Sequence, residues 1–212
     1  MFCQNFDISH SAKGQEQTPR QIAQTALALQ QRGCVNVNFV TPTHVAHVVA
    51  EATVLARVEG LTVPTIYNCG GYESVQTLQL LDGLIDIYMP DFKWAVEAAG
   101  RKYSGVADYP TVATAALAEM YRQVGQLCVD EQGVATRGLL VRHLVMPGDI
   151  ASSGEVIDIV GRTEPGCAIN VMGQYRPAFH ANKFPELLGR VKPAEVDSLR
   201  RRAQGKGLRP VH

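Results

Sequence analysis

Residues 18–45, TPRQIAQTALALQQRGCVNVNFVTPTHV, decide the fold class. Thr18 stands where a helix N-cap belongs, Pro19 occupies the first helical position, where its missing N–H costs nothing, and Gly33 supplies the stop after the last turn. This helix runs directly into VNVNFV (35–40), a short run rich in β-branched and aromatic residues, and then into a second helical pattern, HVAHVVAEATVLARVEG (44–60), closed by Gly60. Helix, strand and helix in such quick succession is the mark of a βα repeat.

The pattern recurs along the chain. VPTIYN (63–68), LIDIYMP (84–90), GLLVRHLVMPG (138–148) and CAINVMG (167–173) read as further strands, each bounded by Gly, Pro or Asn. Helical stretches fall near 73–82, 110–126 and 151–162, and the charged segment 193–204 reads as a terminal surface helix. No low-complexity linker interrupts the series, so the expectation is a single domain over 1–212, with 193–212 as a surface tail. Five parallel strands with outer helices fit a doubly wound sheet or a curved barrel. Polar residues gather where strands end: Thr41-Pro42-Thr43-His44, Asn68-Cys69-Gly70-Gly71, Asp91-Phe92-Lys93, Arg142-His143 and Gln174-Tyr175-Arg176. In a barrel all those ends meet at one mouth. No GxGxxG or GxxxxGK[ST] loop is present to cradle a nucleotide phosphate, which favours the barrel.

Composition narrows the function classes. The chain has 212 residues, 46% hydrophobic and 19% charged, enough to bury a sizeable core. Its formal charge is zero, so no basic field argues for nucleic acid or an anionic membrane surface. No apolar run approaches the length of a membrane span, and the start lacks the sections of a signal peptide. Five scattered cysteines (Cys3, Cys34, Cys69, Cys128, Cys167) make poor disulfide arithmetic and suit a reducing compartment; the expected location is cytoplasmic.

Three constellations carry chemistry. In DIYMPDFKW (86–94) a strand's apolar run ends in Asp91 and Lys93, two residues apart and thus on one face, an acid and a base able to hold an ammonium and a carboxylate. An exposed ion pair worth about 1 kcal/mol at most is the bland alternative. In LVRHLVMPG (140–148) alternation sends Arg142 and His143 to opposite faces, and the arginine either pairs internally with Asp86 or Asp91 or meets a carboxylate or ribose. His44 and His47 have ligand spacing but no third partner, and Thr43 reads as a helix cap.

Cys3-Gln4-Asn5 within MFCQNFDISH (1–10), with Phe2 ahead of the cysteine, resembles the tail of the CxxxCxxC loop of radical S-adenosylmethionine enzymes. VNFVTPTH, IYNCGGYE, LLDGLIDIYMPDFKW, KYSGVADY, GLLVRHLVMPG and INVMGQYRP then follow in the order expected for proteins of that superfamily that resemble pyruvate formate-lyase activating enzyme. The resemblance covers nearly the whole chain. It implies an α/β, partial (β/α)6 TIM-like barrel of parallel strands, truncated at the N-terminus so that the first strand is missing. It also implies a [4Fe-4S] cluster and S-adenosylmethionine as cofactors, with reductive cleavage to a 5′-deoxyadenosyl radical that abstracts hydrogen, and the activation of a glycyl-radical-type protein as one use. Carried over by position, Cys3 is the third cluster ligand, Cys3 and Lys93 are catalytic, and Asn5, Thr41, Thr43, Asn68, Asp91, Lys93 and Arg142 surround the cosubstrate.

Two departures from the family pattern stand out. Thr41-Pro42-Thr43-His44 replaces the GGE usually found after the second strand, and a single cysteine cannot stand for three, so the cluster is expected to be incomplete in this chain. The expected partners are a flavodoxin or ferredoxin as electron donor, and a protein substrate or second copy covering the edge left by the missing strand. Two rival readings stand beside this one: a class I aldolase-like barrel using Lys93 as Schiff-base nucleophile beside Asp91, and a degenerate barrel that binds without catalysis.

Overall fold

A computed structural model describes residues 3–9 and 14–211; Phe2 lies outside the described residues. One short turn, α1 (Phe6–Ser9), precedes the marked helix α2 (Pro19–Gln31). Then follow β1 (Val37–Val40), a 3-10 turn at Pro42–Val45, α3 (Ala46–Val58), β2 (Thr65–Cys69), α4 (Val75–Leu80), β3 (Ile87–Pro90) and α5 (Glu97–Ala99). A π-helical turn at Gly100–Ser104 leads to α6 (Tyr109–Val124), β4 (Cys128–Val129), β5 (Ala135–Leu144), α7 (Ser153–Thr163), β6 (Ala168–Met172), α8 (Pro193–Gly205) and β7 (Arg209–Pro210). The architecture is α/β, with a seven-stranded sheet among the described residues in the order β1-β2-β3-β5-β6-β7. The resolved pairings are parallel except for β4, which lies antiparallel on β5.

The chain divides into two compact units. The first comprises Glu16–Asp91 with Ala115–Val141. Its core joins Ala23 and Ala26 of α2 to Ala56 of α3, Val37 of β1 and Leu61, with Leu27, Phe39, Leu55 and Val63 packed around them. Alanine at the helix contacts lets the two backbones approach closely while the strand supplies the larger side chains. At the N-terminal end of β3 the Asp86 carboxylate takes both oxygens to Arg57 Nη2, at 3.0 and 2.9 Å, and accepts from Thr65 N and Oγ1 at 2.8 and 2.9 Å. Asp86, one of the two carboxylates offered as an internal partner for Arg142, is therefore tied to Arg57.

The start of α2 forms as its sequence demands. Thr18 Oγ1 accepts from Gln21 N at 3.3 Å while Gln21 Oε1 accepts from Thr18 N at 2.8 Å, a reciprocal capping box. Thr18→Ala should lower the unfolding free energy by about 1 kcal/mol in urea titrations, with Thr18→Ser close to wild type.

The second unit holds the described residues before 16, Phe92–Thr114 and the described residues from Arg142 onward. The end of β5 meets β6 through Val145 N donating to Met172 O at 2.9 Å, and Arg209 N donates to Cys167 O at 2.9 Å as β7 joins. Ile157 and Val160 of α7 and Ile169 and Val171 of β6 are completely buried. The segment from 193 was expected as a surface tail; instead Val196, Ala203 and Leu208 turn inward, and β7 adds a strand to β6. Its charged face remains outside, where Arg202 grips Asp158 at 3.1 and 2.7 Å. No helix among the described residues is long and apolar enough to cross a membrane.

Candidate functional site

In the first unit three strand tips align. The register sets Val40, Asn68 and Met89 side by side, Thr41 N donates to Asn68 O at 2.7 Å, and Asp91 N donates to Cys69 O at 2.9 Å. Three of the residues expected around a ligand, Thr41, Asn68 and Asp91, thus sit at the C-terminal ends of adjacent parallel strands. Thr41 is exposed and held in the left-handed region at φ 55°. That is an uncommon conformation for a β-branched residue, and such strain concentrates at working sites.

Thr43 departs from its expected role as a cap. It lies inside the 3-10 turn, and its hydroxyl donates to Glu73 Oε1 at 2.6 Å. Glu73 is only 2% exposed, and its other oxygen accepts from the Tyr67 hydroxyl at 3.1 Å. The Cys69 thiol supplies a third donor. Burial raises the Glu73 carboxyl above its ordinary value, although those three donors pull it back. The same burial, with Glu73 nearby, pushes the Cys69 thiol and the Tyr67 hydroxyl upward, so both remain protonated donors. This cluster escaped the sequence reading. Its one signal was a carboxylate two residues beyond the glycine pair of YNCGGYE, where the turn folds the chain back beneath the strand tip.

In the second unit Lys93 and Arg142 are both half-buried. Phe92, the residue before Lys93, is held at both backbone groups: its N donates to Arg142 O at 2.8 Å, and His143 Nδ1 meets its O at 2.7 Å. Lys93 N donates to the Tyr109 hydroxyl at 2.8 Å. The expected alternation of Arg142 and His143 holds, since His143 is completely buried. Cys3 is half-buried, with Sγ 3.4 Å from Ser9 Oγ; the exposed Asn5 uses its carbonyl to accept from Ile8 N and Ser9 N. Gln4 Nε2 donates to Arg176 O at 3.4 Å, which sets this segment beside the loop after β6. In that loop Gln174 and Arg176 are exposed, whereas Tyr175 turns inward and donates to Leu187 O at 2.8 Å.

No family model matches the chain. It is similar to an uncharacterized protein of Methanocaldococcus jannaschii, with 26% identity over 205 residues. The match takes in 93% of this chain and 56% of that protein, so the chain spans little more than half the length of its relative.

The thiolates present do not fit a [4Fe-4S] cluster. Such a cluster takes its irons on convergent cysteines. Cys69 is engaged with Glu73, Cys167 is completely buried and donates to Ala168 O at 3.3 Å, and Cys34 and Cys128 are separate exposed residues. No three His, Cys, Asp or Glu side chains converge on a metal position among the described residues. In the first unit the Asp91 carboxylate and the Asn68 carboxamide are acceptors at the strand tips, and in the second unit the side chains of Lys93 and Arg142 are cationic donors.

Proposed function

We propose that this chain is the S-adenosylmethionine-binding portion of a radical S-adenosylmethionine protein of the kind that resembles pyruvate formate-lyase activating enzyme. The observation that carries the reading is the placement of Thr41, Asn68 and Asp91 at the C-terminal ends of three adjacent parallel strands, the rim at which βα barrels bind and react. In this reading the parallel sheet is the wall of a partial (β/α)6 barrel. Asp91 accepts from the ligand's donors, Arg142 and Lys93 bind its carboxylate and ribose oxygens, and Thr41 and Asn68 hold its polar edge. The substitution of Thr41-Pro42-Thr43-His44 for GGE moves the acidic charge near this rim to Glu73, behind Thr43.

No chemical step is assigned to a cluster here, because Cys3 is the single thiolate of the loop in this chain. Anaerobic reconstitution with iron and sulfide is therefore expected to leave the protein far below a stoichiometric cluster by iron counting, without a reduced-cluster signal in low-temperature EPR. A full cluster with that signal would overturn the ligand assignment.

Calorimetric titration tests binding itself. S-adenosylmethionine should bind saturably, one per chain, and Arg142→Ala or Asp91→Asn should each weaken it by roughly tenfold or more, the loss expected for one charge-assisted hydrogen bond. Absence of saturable heat in the wild-type chain would remove the reading.

A further inference from the structure

His143 is a completely buried polar side chain of the second unit, and the roles assigned above leave it unused. Its ring joins the segment after β3 to the start of α7, which also meet through Ala95 N donating to Ala151 O at 3.3 Å. Nδ1 lies 2.7 Å from Phe92 O, and Nε2 lies 2.9 Å from Ser153 Oγ. A carbonyl oxygen only accepts, so Nδ1 carries the proton; Nε2 is then an acceptor, and the Ser153 hydroxyl donates to it.

Each partner leads somewhere. Phe92 is also bound at its N–H by Arg142 O, so consecutive residues of β5 grip the peptide units on both sides of Phe92. The unit held by His143 joins Phe92 to Lys93, and its N–H, that of Lys93, is held by Tyr109. Ser153 opens α7, and its N–H donates to Asp149 Oδ1 at 2.8 Å. The turn before it is strained, with Gly148, Asp149 and Ser152 all at positive φ, 64°, 53° and 52°.

We infer that His143 is a positioning residue: its Nδ1–H bond to Phe92 O fixes the direction in which the Lys93 side chain leaves the backbone, while its Nε2 bond to Ser153 serves stability alone. The ligand side of this inference rests on the proposed S-adenosylmethionine reading. The Lys93 side does not.

The two bonds separate experimentally. In His143→Asn the amide nitrogen takes the place of Nδ1 and keeps the donor to Phe92 O; Ser153→Ala removes only the other bond; His143→Leu removes both. Should the leucine variant not fold, His143→Gln replaces it, since its amide matches the Nε2 position and abandons Phe92. Reductive methylation with ¹³C-formaldehyde gives each lysine an NMR signal, and the Lys93 signal is identified by its loss in Lys93→Arg.

The expected result is a Lys93 resonance unchanged in His143→Asn and Ser153→Ala but displaced or broadened in His143→Leu or His143→Gln. The dissociation constant for S-adenosylmethionine should rise about tenfold in the latter pair and less than about threefold in the former. Thermal midpoints should fall in Ser153→Ala without moving the Lys93 signal. If signal and affinity instead follow the midpoint across all variants, His143 is a structural core histidine and the inference is overturned. If wild type binds no S-adenosylmethionine, the binding reading falls, and the Lys93 resonance alone still decides the positioning role.

Discussion

Gly138→Ala should lower the unfolding free energy by about 4 kcal/mol, read from urea midpoints at constant slope. Gly138 pairs with Ile87 in β5 and donates its N–H to Asp86 O at 2.9 Å, so it sits in the sheet and not in a loop. Its φ is 118°, where an L residue is strained, and a β-carbon there would collide with the Gln126 carbonyl and lie 2.5 Å from Leu127 Cα. Both obstacles are backbone, which no rotamer change relieves. Gly133→Ala provides the contrast: φ is 81° but nothing lies within 4 Å of the added carbon, so only the backbone cost of about 1 kcal/mol applies. Equal losses at the two positions would show that the close approach at Gly138 does not exist.

Glu73→Leu should cost about 3–5 kcal/mol, since it strands the Thr43 and Tyr67 hydroxyls and the Cys69 thiol as buried donors with no acceptor. Glu73→Gln keeps an acceptor and should cost less. The pair also predicts a pH dependence of definite sign. Burial raises the folded-state Glu73 value above that of the unfolded chain, so the native state binds this proton more tightly. The contribution is fully present below the ordinary carboxyl range and is lost as pH rises through the raised folded value. Stability of wild type relative to Glu73→Gln should therefore fall across that window. Salt-bridged carboxylates such as Asp158, lowered chiefly by its hydrogen bond from Arg202, act in the opposite direction but cancel in the comparison. A difference that grows with pH would contradict the desolvation of the Glu73 carboxyl by burial.

Local signals in the sequence were enough for the main elements. The Thr18, Pro19 and Gly33 marks delimit α2 because capping is settled within one turn of the chain, and the β-branched runs around Val37, Ile66, Ile87, Val141 and Ile169 each become strands. What could not be read depends on residues far apart. The two-residue strands β4 and β7 exist only because β5 and β6 offer them a partner, and their own residues carry no periodicity. Thr43 looked like a cap because hydroxyl residues before helices usually are; its actual partner, Glu73, lies thirty residues on. His143 announced itself only as a polar residue in an apolar run. Its role comes from Phe92 and Ser153, brought to it by two other elements.

The strand tips Thr41, Asn68 and Asp91 were legible because an apolar run that stops at polar residues marks a strand end in any βα protein. Their assignment to one ligand is the central claim. Photolabelling with an azido-adenosyl analogue of S-adenosylmethionine, followed by peptide mapping, tests it most directly. Saturable label, competed by S-adenosylmethionine and confined to peptides carrying residues 41–44, 68–73, 91–93 or 142–148, is the predicted result. Label that does not saturate, or that falls on the outer helices, would contradict it.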